Sequence, residues 1–254
     1  MAFTHIRNQF HLYRYKITLL TFLGIFLFSA QFVQAQKLNS LNKSDYDNKR
    51  FHYGFYLAVP LTKYSVTHSQ EYADQLALNG ANAVAVNPIA NVGFYTGLVL
   101  NIRLADYLDF RFVPGVGFYN RETEYANMPQ EDGAAGEVVK TINSTMIELP
   151  LLLKYKSMRR SNTRLYLVAG LKPGFDMGSG RSDEELDKGL AIEKFDLAVE
   201  YGVGLDVFYP YFKFAPELRF SHGLLNLHKP TASDYSRLIE KQTNHNVSLI
   251  FFFE

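Results

Sequence analysis

The sequence predicts an all-β fold: an eight-stranded antiparallel up-and-down transmembrane β-barrel with short periplasmic turns and long external loops. Three observations carry that expectation. Long segments alternate apolar and polar residues, the number of such segments is even, and the connections between them alternate long and short. The clearest segment is FDLAVEYGVGLDVF, residues 195–208. Phe195, Leu197, Val199, Tyr201, Val203, Leu205 and Val207 fall on one face, and Asp196, Glu200 and Asp206 on the other. A period of two is the period of a strand, whose successive side chains point to opposite faces. Soluble strands usually run about 5–6 residues, whereas a strand that crosses a bilayer needs about 9–11. In a membrane barrel the apolar face meets lipid and the polar face lines the lumen.

Residues 1–35 have the layout of a secretory signal peptide. Arg7, Arg14 and Lys16 precede the uncharged run ITLLTFLGIFLF (17–28), and Val33 and Ala35 suit cleavage after Ala35. The apolar run is short for a helix that must span a bilayer, which needs about 20 residues. Residues 36–50 are a polar periplasmic lead-in, and 51–254 are the expected outer-membrane barrel. Without the signal the chain carries 23 basic and 25 acidic residues. That balance gives no basic patch for nucleic acid. The absence of cysteine excludes disulfides and thiolate metal sites.

The first strand is FHYGFYLAV (51–59), and the second is NVGFYTGLVLNIR (91–103). The third is LDFRFVPGVGFY (108–119), the fourth STMIELPLLLKYK (144–156), and the fifth TRLYLVAGLKPG (163–174). The sixth is the segment above. Tyr209-Pro210 then leads to a seventh strand, in which Phe212, Phe214, Pro216, Leu218 and Phe220 alternate with Lys213, Glu217 and Arg219. The eighth is HNVSLIFFFE (245–254). Connections 60–90, 120–143, 175–194 and 221–244 are long; 104–107, 157–162 and 209–210 are short. This is the rhythm of external loops and periplasmic turns. Pro114, Pro150 and Pro216 are awkward inside a ladder, so bulges or strand ends are expected there.

The less apolar faces hold six acids and six bases: Asp109, Glu148, Asp196, Glu200, Asp206 and Glu217, with Arg111, Lys154, Arg164, Lys172, Lys213 and Arg219. Mixed charge is tolerable in a wet or paired lumen. Gly54, Gly93, Gly97, Gly115, Gly117, Gly170, Gly202 and Gly204 share those faces and are expected to make room for long charged side chains. Tyr95, Tyr107, Tyr119, Tyr155, Tyr209 and Tyr211 lie near strand ends, where an aromatic girdle belongs.

Little in the sequence points to catalysis. His68 with Ser69, Ser221 with His222, and His52, His228 and His245 are candidates, but none sits in a nucleophile elbow. No cofactor and no metal site is expected. An eight-stranded barrel is just wide enough to be filled by its own side chains. A binding or assembly role is therefore favoured over transport. The loop SHGLLNLHKP (221–230) is unusually apolar, and Leu224, Leu225 and Leu227 make it a candidate partner surface.

Three stretches resemble PorT: KRFHYGFYLAV (49–59), STMIELPLLLKYKSMRRSNTRLYLVAGLKPGFDM (144–177) and FDLAVEYGVGLDVFYPYFKFAPELRFSHGLLNL (195–227). PorT-type proteins are outer-membrane barrels of the Bacteroidetes associated with the type IX (Por) secretion system. The resemblance implies a non-enzymatic role in exporting proteins across the outer membrane, or in assembling the export machinery. Its implied partners are outer-membrane lipid and other secretion-system proteins. It supplies no catalytic residues. A structural, adhesion or narrow-channel barrel, or a lipid-acting enzyme that uses a loop histidine, would share the strand pattern.

Overall fold

The computed structural model describes residues 41–80, 83–129, 135–177, 191–231 and 234–254. The expected signal peptide and the first part of the lead-in lie outside them. Eight staves form the wall. They are β1 (Phe51–His68), β2 (Ala85–Ile89, Asn91–Val92 and Phe94–Ala105), β3 (Leu108–Phe112 and Gly115–Pro129) and β4 (Ala135–Glu148 and Leu151–Lys156). The others are β5 (Thr163–Asp176), β6 (Phe195–Phe208), β7 (Lys213–Gly223) and β8 (Ile239–Phe253). Each pairs antiparallel with the next, and β8 pairs with β1 to close the ring. Among the described residues no helix is long and apolar enough to cross a membrane.

The apolar faces point outward. On β1 the outward residues Phe51, Tyr53, Phe55, Leu57, Val59 and Leu61 are exposed, while Tyr56, Ala58, Thr62 and Tyr64 on the opposite face are buried. A tilted strand from Phe51 to Leu61 rises roughly 25 Å, the height of an outer-membrane apolar band. Above it the outward residues turn polar on four of the staves, while on β5 and β6 they stay apolar as far as Phe175 and Phe195. Leu61 gives way to Lys63 on β1, Phe118 to Asn120 on β3, Phe220 to His222 on β7, and Val247 to His245 on β8.

Several staves continue past that level. The predicted strand 51–59 runs to His68, 108–119 to Pro129, 144–156 starts at Ala135, and 245–254 starts at Ile239. Much of the expected loops 60–90, 120–143 and 221–244 is therefore strand. Outside the lipid band the outward side chains become polar, so the apolar alternation that marked the strands stops while the ladder continues.

The prolines divide in behaviour. β3 breaks between Phe112 and Gly115 and β4 between Glu148 and Leu151, at Pro114 and Pro150. The break keeps its hydrogen bonds: Leu98 N donates to Pro114 O at 2.9 Å and Val113 N to Pro150 O at 3.0 Å. Pro216 neither ends nor bulges its strand. It pairs with Phe251 of β8, and only the ladder toward β6 lapses beside it. A proline without an N–H is tolerated where one neighbour keeps the register.

Beyond the band, β3 and β4 form a hairpin that packs with helix α1 (Gln70–Asn79) and the short helix α2 (Asp234–Arg237). Ser69 caps α1 by accepting from Tyr72 N at 3.3 Å, and its hydroxyl donates to Arg237 O at 2.6 Å. Val86, Tyr125, Leu238 and Ile239 form a buried cluster here, with Val66, Tyr72, Val138 and Tyr235 against it. This outer cap has an ordinary apolar core.

Candidate functional site

The lumen is the feature on which function turns. All twelve charged residues placed there by the alternation of the sequence point inward and are buried: Asp109, Arg111, Glu148, Lys154, Arg164, Lys172, Asp196, Glu200, Asp206, Lys213, Glu217 and Arg219. Four further charges join them. Lys156, Arg121 and Asp176 are buried, and the Glu254 side chain is fully enclosed. Among the described residues the lumen thus holds eight acids and eight bases, with no net charge.

Most of these charges form two linked layers. Near the short turns, Asp206 accepts from Lys154 at 2.8 Å and from Arg164 at 3.1 Å. Glu254 accepts from Lys213 at 2.7 Å and from Asn101 at 2.6 Å, and Lys156 reaches Asp109 at 2.6 Å. In the middle, Glu217 is held by Arg111 at 2.7 Å, by Arg219, and by the Tyr166 hydroxyl at 2.9 Å. Arg219 and Lys172 both reach Glu200 at 3.2 Å, and Lys172 reaches Glu148 at 3.2 Å. Arg111 bridges the layers, with Glu254 at 3.5 Å. Burying one charge costs several kcal/mol, and close pairing with further hydrogen bonds offsets that cost. The Glu217 carboxylate, with three donors on its two oxygens, is satisfied without water.

Tyrosines fill the space between the charges. The Tyr56 hydroxyl lies where a Cβ on Gly97 or Gly115 would be, 2.7 and 1.9 Å from those positions. The Tyr166 ring lies 2.2 Å from the corresponding point at Gly204. These lumen glycines therefore make room for aromatic rings rather than for charged chains. Tyr95 and Tyr119, expected in a girdle, are buried in the lumen too. Tyr107, Tyr155, Tyr209 and Tyr211 are exposed near the short turns, as a girdle requires.

The short-turn mouth is stopped by the chain itself. The end of the lead-in folds into a 3-10 turn, Ser44–Asn48, instead of running loose. Tyr46 stacks on His52 at 3.8 Å, donates to Glu254 at 2.8 Å, and meets Lys213 at 2.5 Å. Arg164 donates to Asp47 at 2.7 Å, and the Asn42 side chain to Phe208 O at 3.0 Å. Nothing in the residues 41–48 marks them as a plug by period or motif; they were legible only as polar.

The loop leucines do not form one exposed patch. Leu224 is exposed, Leu225 half-buried, and Leu227 buried, with its backbone joined to Gln242 and Glu193 at 2.8 Å. The histidines are dispersed as well. His52 serves the plug, and His68 stacks on Tyr72 at 4.1 Å. His228 meets Ser236 at 2.9 Å in the outer cap, where burial lowers its pKa. His222 and His245 touch each other at 2.7 Å on the outer wall. Ser69 is a helix cap and Ser221 lies buried in β7, so no serine–histidine–acid arrangement forms among these candidates.

Residues 34–229 match the family model described as "Outer membrane protein beta-barrel domain", which covers most of the chain. The chain belongs to that family and is an outer-membrane β-barrel. It is also similar to solved outer-membrane proteins. With OprG from Pseudomonas aeruginosa it shares 13% identity over 79% of this chain and 93% of that chain, with a TM-score of 0.43. With Neisserial surface protein A the values are 12%, 80%, 98% and 0.38. With Ail, the attachment invasion locus protein of Yersinia pestis, they are 9%, 81%, 98% and 0.34. No curated protein matches the chain.

Proposed function

We propose, with membership of that family as the premise, that this barrel is a non-enzymatic component of the type IX secretion system and acts as a closed scaffold. Its long loops face outward and its plugged mouth faces the periplasm. The observation that supports a scaffold over a conduit is the filled lumen: sixteen charges, the tyrosines between them and the Tyr46 plug occupy the interior. An eight-stranded barrel leaves no room for folded cargo even when empty. Work on exported proteins then falls to the two rims. The assignment to secretion itself rests on the PorT-like stretches 49–59, 144–177 and 195–227.

At the outer end, Leu76 and Leu78 of α1 and Leu224 are exposed apolar side chains, suited to contact with another protein. The test is deletion of the gene followed by measurement of protein released to the medium. Export is expected to fall and to return with the intact gene. A chain carrying Leu76→Gln, Leu78→Gln and Leu224→Gln is expected to insert normally and restore export only in part. Undiminished export after deletion would overturn the secretion reading and favour a structural or adhesion barrel.

A further inference from the structure

The outer wall carries a row that is neither lipid-like nor part of the lumen. Lys63 of β1 is the cross-strand partner of His245 of β8, and His245 is the partner of His222 of β7. The three stand side by side on adjacent staves, at the step where the outward face changes from apolar to polar. The two imidazoles meet through their Nδ1 atoms at 2.7 Å, and His222 Nε2 lies 3.0 Å from the Tyr201 hydroxyl. Lys63 and His245 also line one depression of roughly 450 Å3.

Tyr201 joins this row to a second feature. Leu153, Ala169, Tyr201 and Phe220 are successive cross-strand partners on β4 to β7. Ala169 is the small residue of that row, and the wall is indented there. Leu153, Leu167, Ala169, Val203 and Phe220 line a groove of roughly 500 Å3 whose surface is almost wholly apolar. A groove within the lipid band that ends beside a lysine and two imidazoles, whose ring nitrogens here meet each other, Tyr201 and, at 3.2 Å, the Thr243 hydroxyl, has the chemistry of one amphiphile. Its chain would lie in the groove, and an anionic head would meet Lys63, His222 and His245.

We infer that β1 and β4 to β8 form a binding site for a phosphorylated lipid, with the phosphate on the Lys63–His245–His222 row and an acyl chain in the Ala169 groove. The orientation proposed above would make it a lipid of the outer leaflet, but the site needs only the row and the groove. Phosphate suits the row because it can take a charge-assisted hydrogen bond from Lys63 and, at the same time, accept from imidazole N–H groups.

The test uses the intact barrel in detergent, with bound lipid read by native mass spectrometry. The probes are a diphosphorylated lipid A, the same lipid with both phosphates removed, and inorganic phosphate. The wild-type barrel should retain the phosphorylated lipid at least tenfold better than the dephosphorylated one, and should not retain phosphate alone. Lys63→Gln with His222→Gln and His245→Gln should abolish that preference while leaving weak lipid retention. Ala169→Phe, which fills the groove on a face already exposed to lipid, should weaken retention of both lipids. Equal retention of the two lipids by the wild type would overturn the head site. Unchanged retention in Ala169→Phe, or phosphate bound as firmly as the lipid, would overturn the groove. Heat-modifiability of each variant checks that the barrel is folded. None of these readouts depends on protein export, so the site and the secretion reading can fail separately.

Discussion

The lumen and the outer cap are built from the same staves in opposite ways. Inside the lipid band, β3 buries Asp109 and Arg111 and turns Phe118 outward. A few residues on, the same stave buries Tyr125 in an apolar cluster and presents Asn120, Glu122 and Glu124 on its outward side. The solvent changes between the two, from hydrocarbon to water. Burial therefore means different things along one strand. In the band the wall is stabilised by lipid outside, and its inside combines ion pairs that must be satisfied with a buried cluster that includes Tyr56, Val99, Leu152 and Phe252. In the cap the hydrophobic effect holds the inside together, and the outside needs only to be soluble.

Four substitutions sharpen that contrast, and they descend in their effect on the barrel's unfolding midpoint. Glu217→Gln leaves Arg111 and Arg219 without their shared carboxylate. Removing one member of a buried ionic cluster costs about 3–5 kcal/mol, and urea unfolding in lipid vesicles should show it. A change under about 1 kcal/mol would mean that the lumen is wet enough to screen its charges.

Next come two outward-facing probes of similar exposure, Leu151 at 43% and Val139 at 46%. Leu151→Arg puts a cation in the middle of the band and should cost about 2–4 kcal/mol. Val139→Arg lies on the hairpin above the band and should stay within about 0.5 kcal/mol, as an ordinary surface change does. Equal penalties would erase the boundary that the step from Phe118 to Asn120 marks on the neighbouring stave.

Tyr125→Ala should open the cap without unfolding the barrel. Truncating a buried aromatic removes about 3 kcal/mol or more from its cluster. Protease should then cut the hairpin between 120 and 143, while the barrel midpoint moves little. The smallest effect concerns pH. Burial lowers the pKa of His228 from 6.5, so the folded cap binds fewer protons than the unfolded one. Cap stability should fall as pH drops below about 6.5, where the unfolded chain takes up the proton. Hydrogen exchange of residues 226–238 would follow it, with β5 and β6 unchanged.

This contrast also explains what the sequence revealed. The eight staves and their lipid faces were legible because Phe51 to Leu61, or Phe195 to Val207, alternate without interruption. The buried charges were legible for the same reason, since any residue between two lipid-facing ones must point inward. Arg121 escaped because it lies where the outward residues turn polar and the alternation fades, and Asp176 because it lies just past the expected strand end at 174, between exposed Phe175 and Met177. Extending the period of two past Phe118 and Phe175 would have found both. Lys156 follows Lys154 at the same period and was equally within reach. Glu254 follows the aromatic run Phe251 to Phe253 and breaks its pattern, yet its carboxylate is a hub for Lys213, Asn101 and Tyr46. The plug was not legible, because its contacts join residue 46 to residues 208, 213 and 254, and no local pattern encodes them. Nor could sequence separate exposed Leu224 from buried Leu227, which depends on how the loop folds back on β8.

The central claim is that the charged lumen is a core and not a channel. Ion conductance of the purified barrel in a planar bilayer tests it most directly. The paired charges and the Tyr46 plug predict no steady current above the bilayer leak, at either polarity and at high salt. A stable open-pore current from the intact, folded barrel would contradict the account.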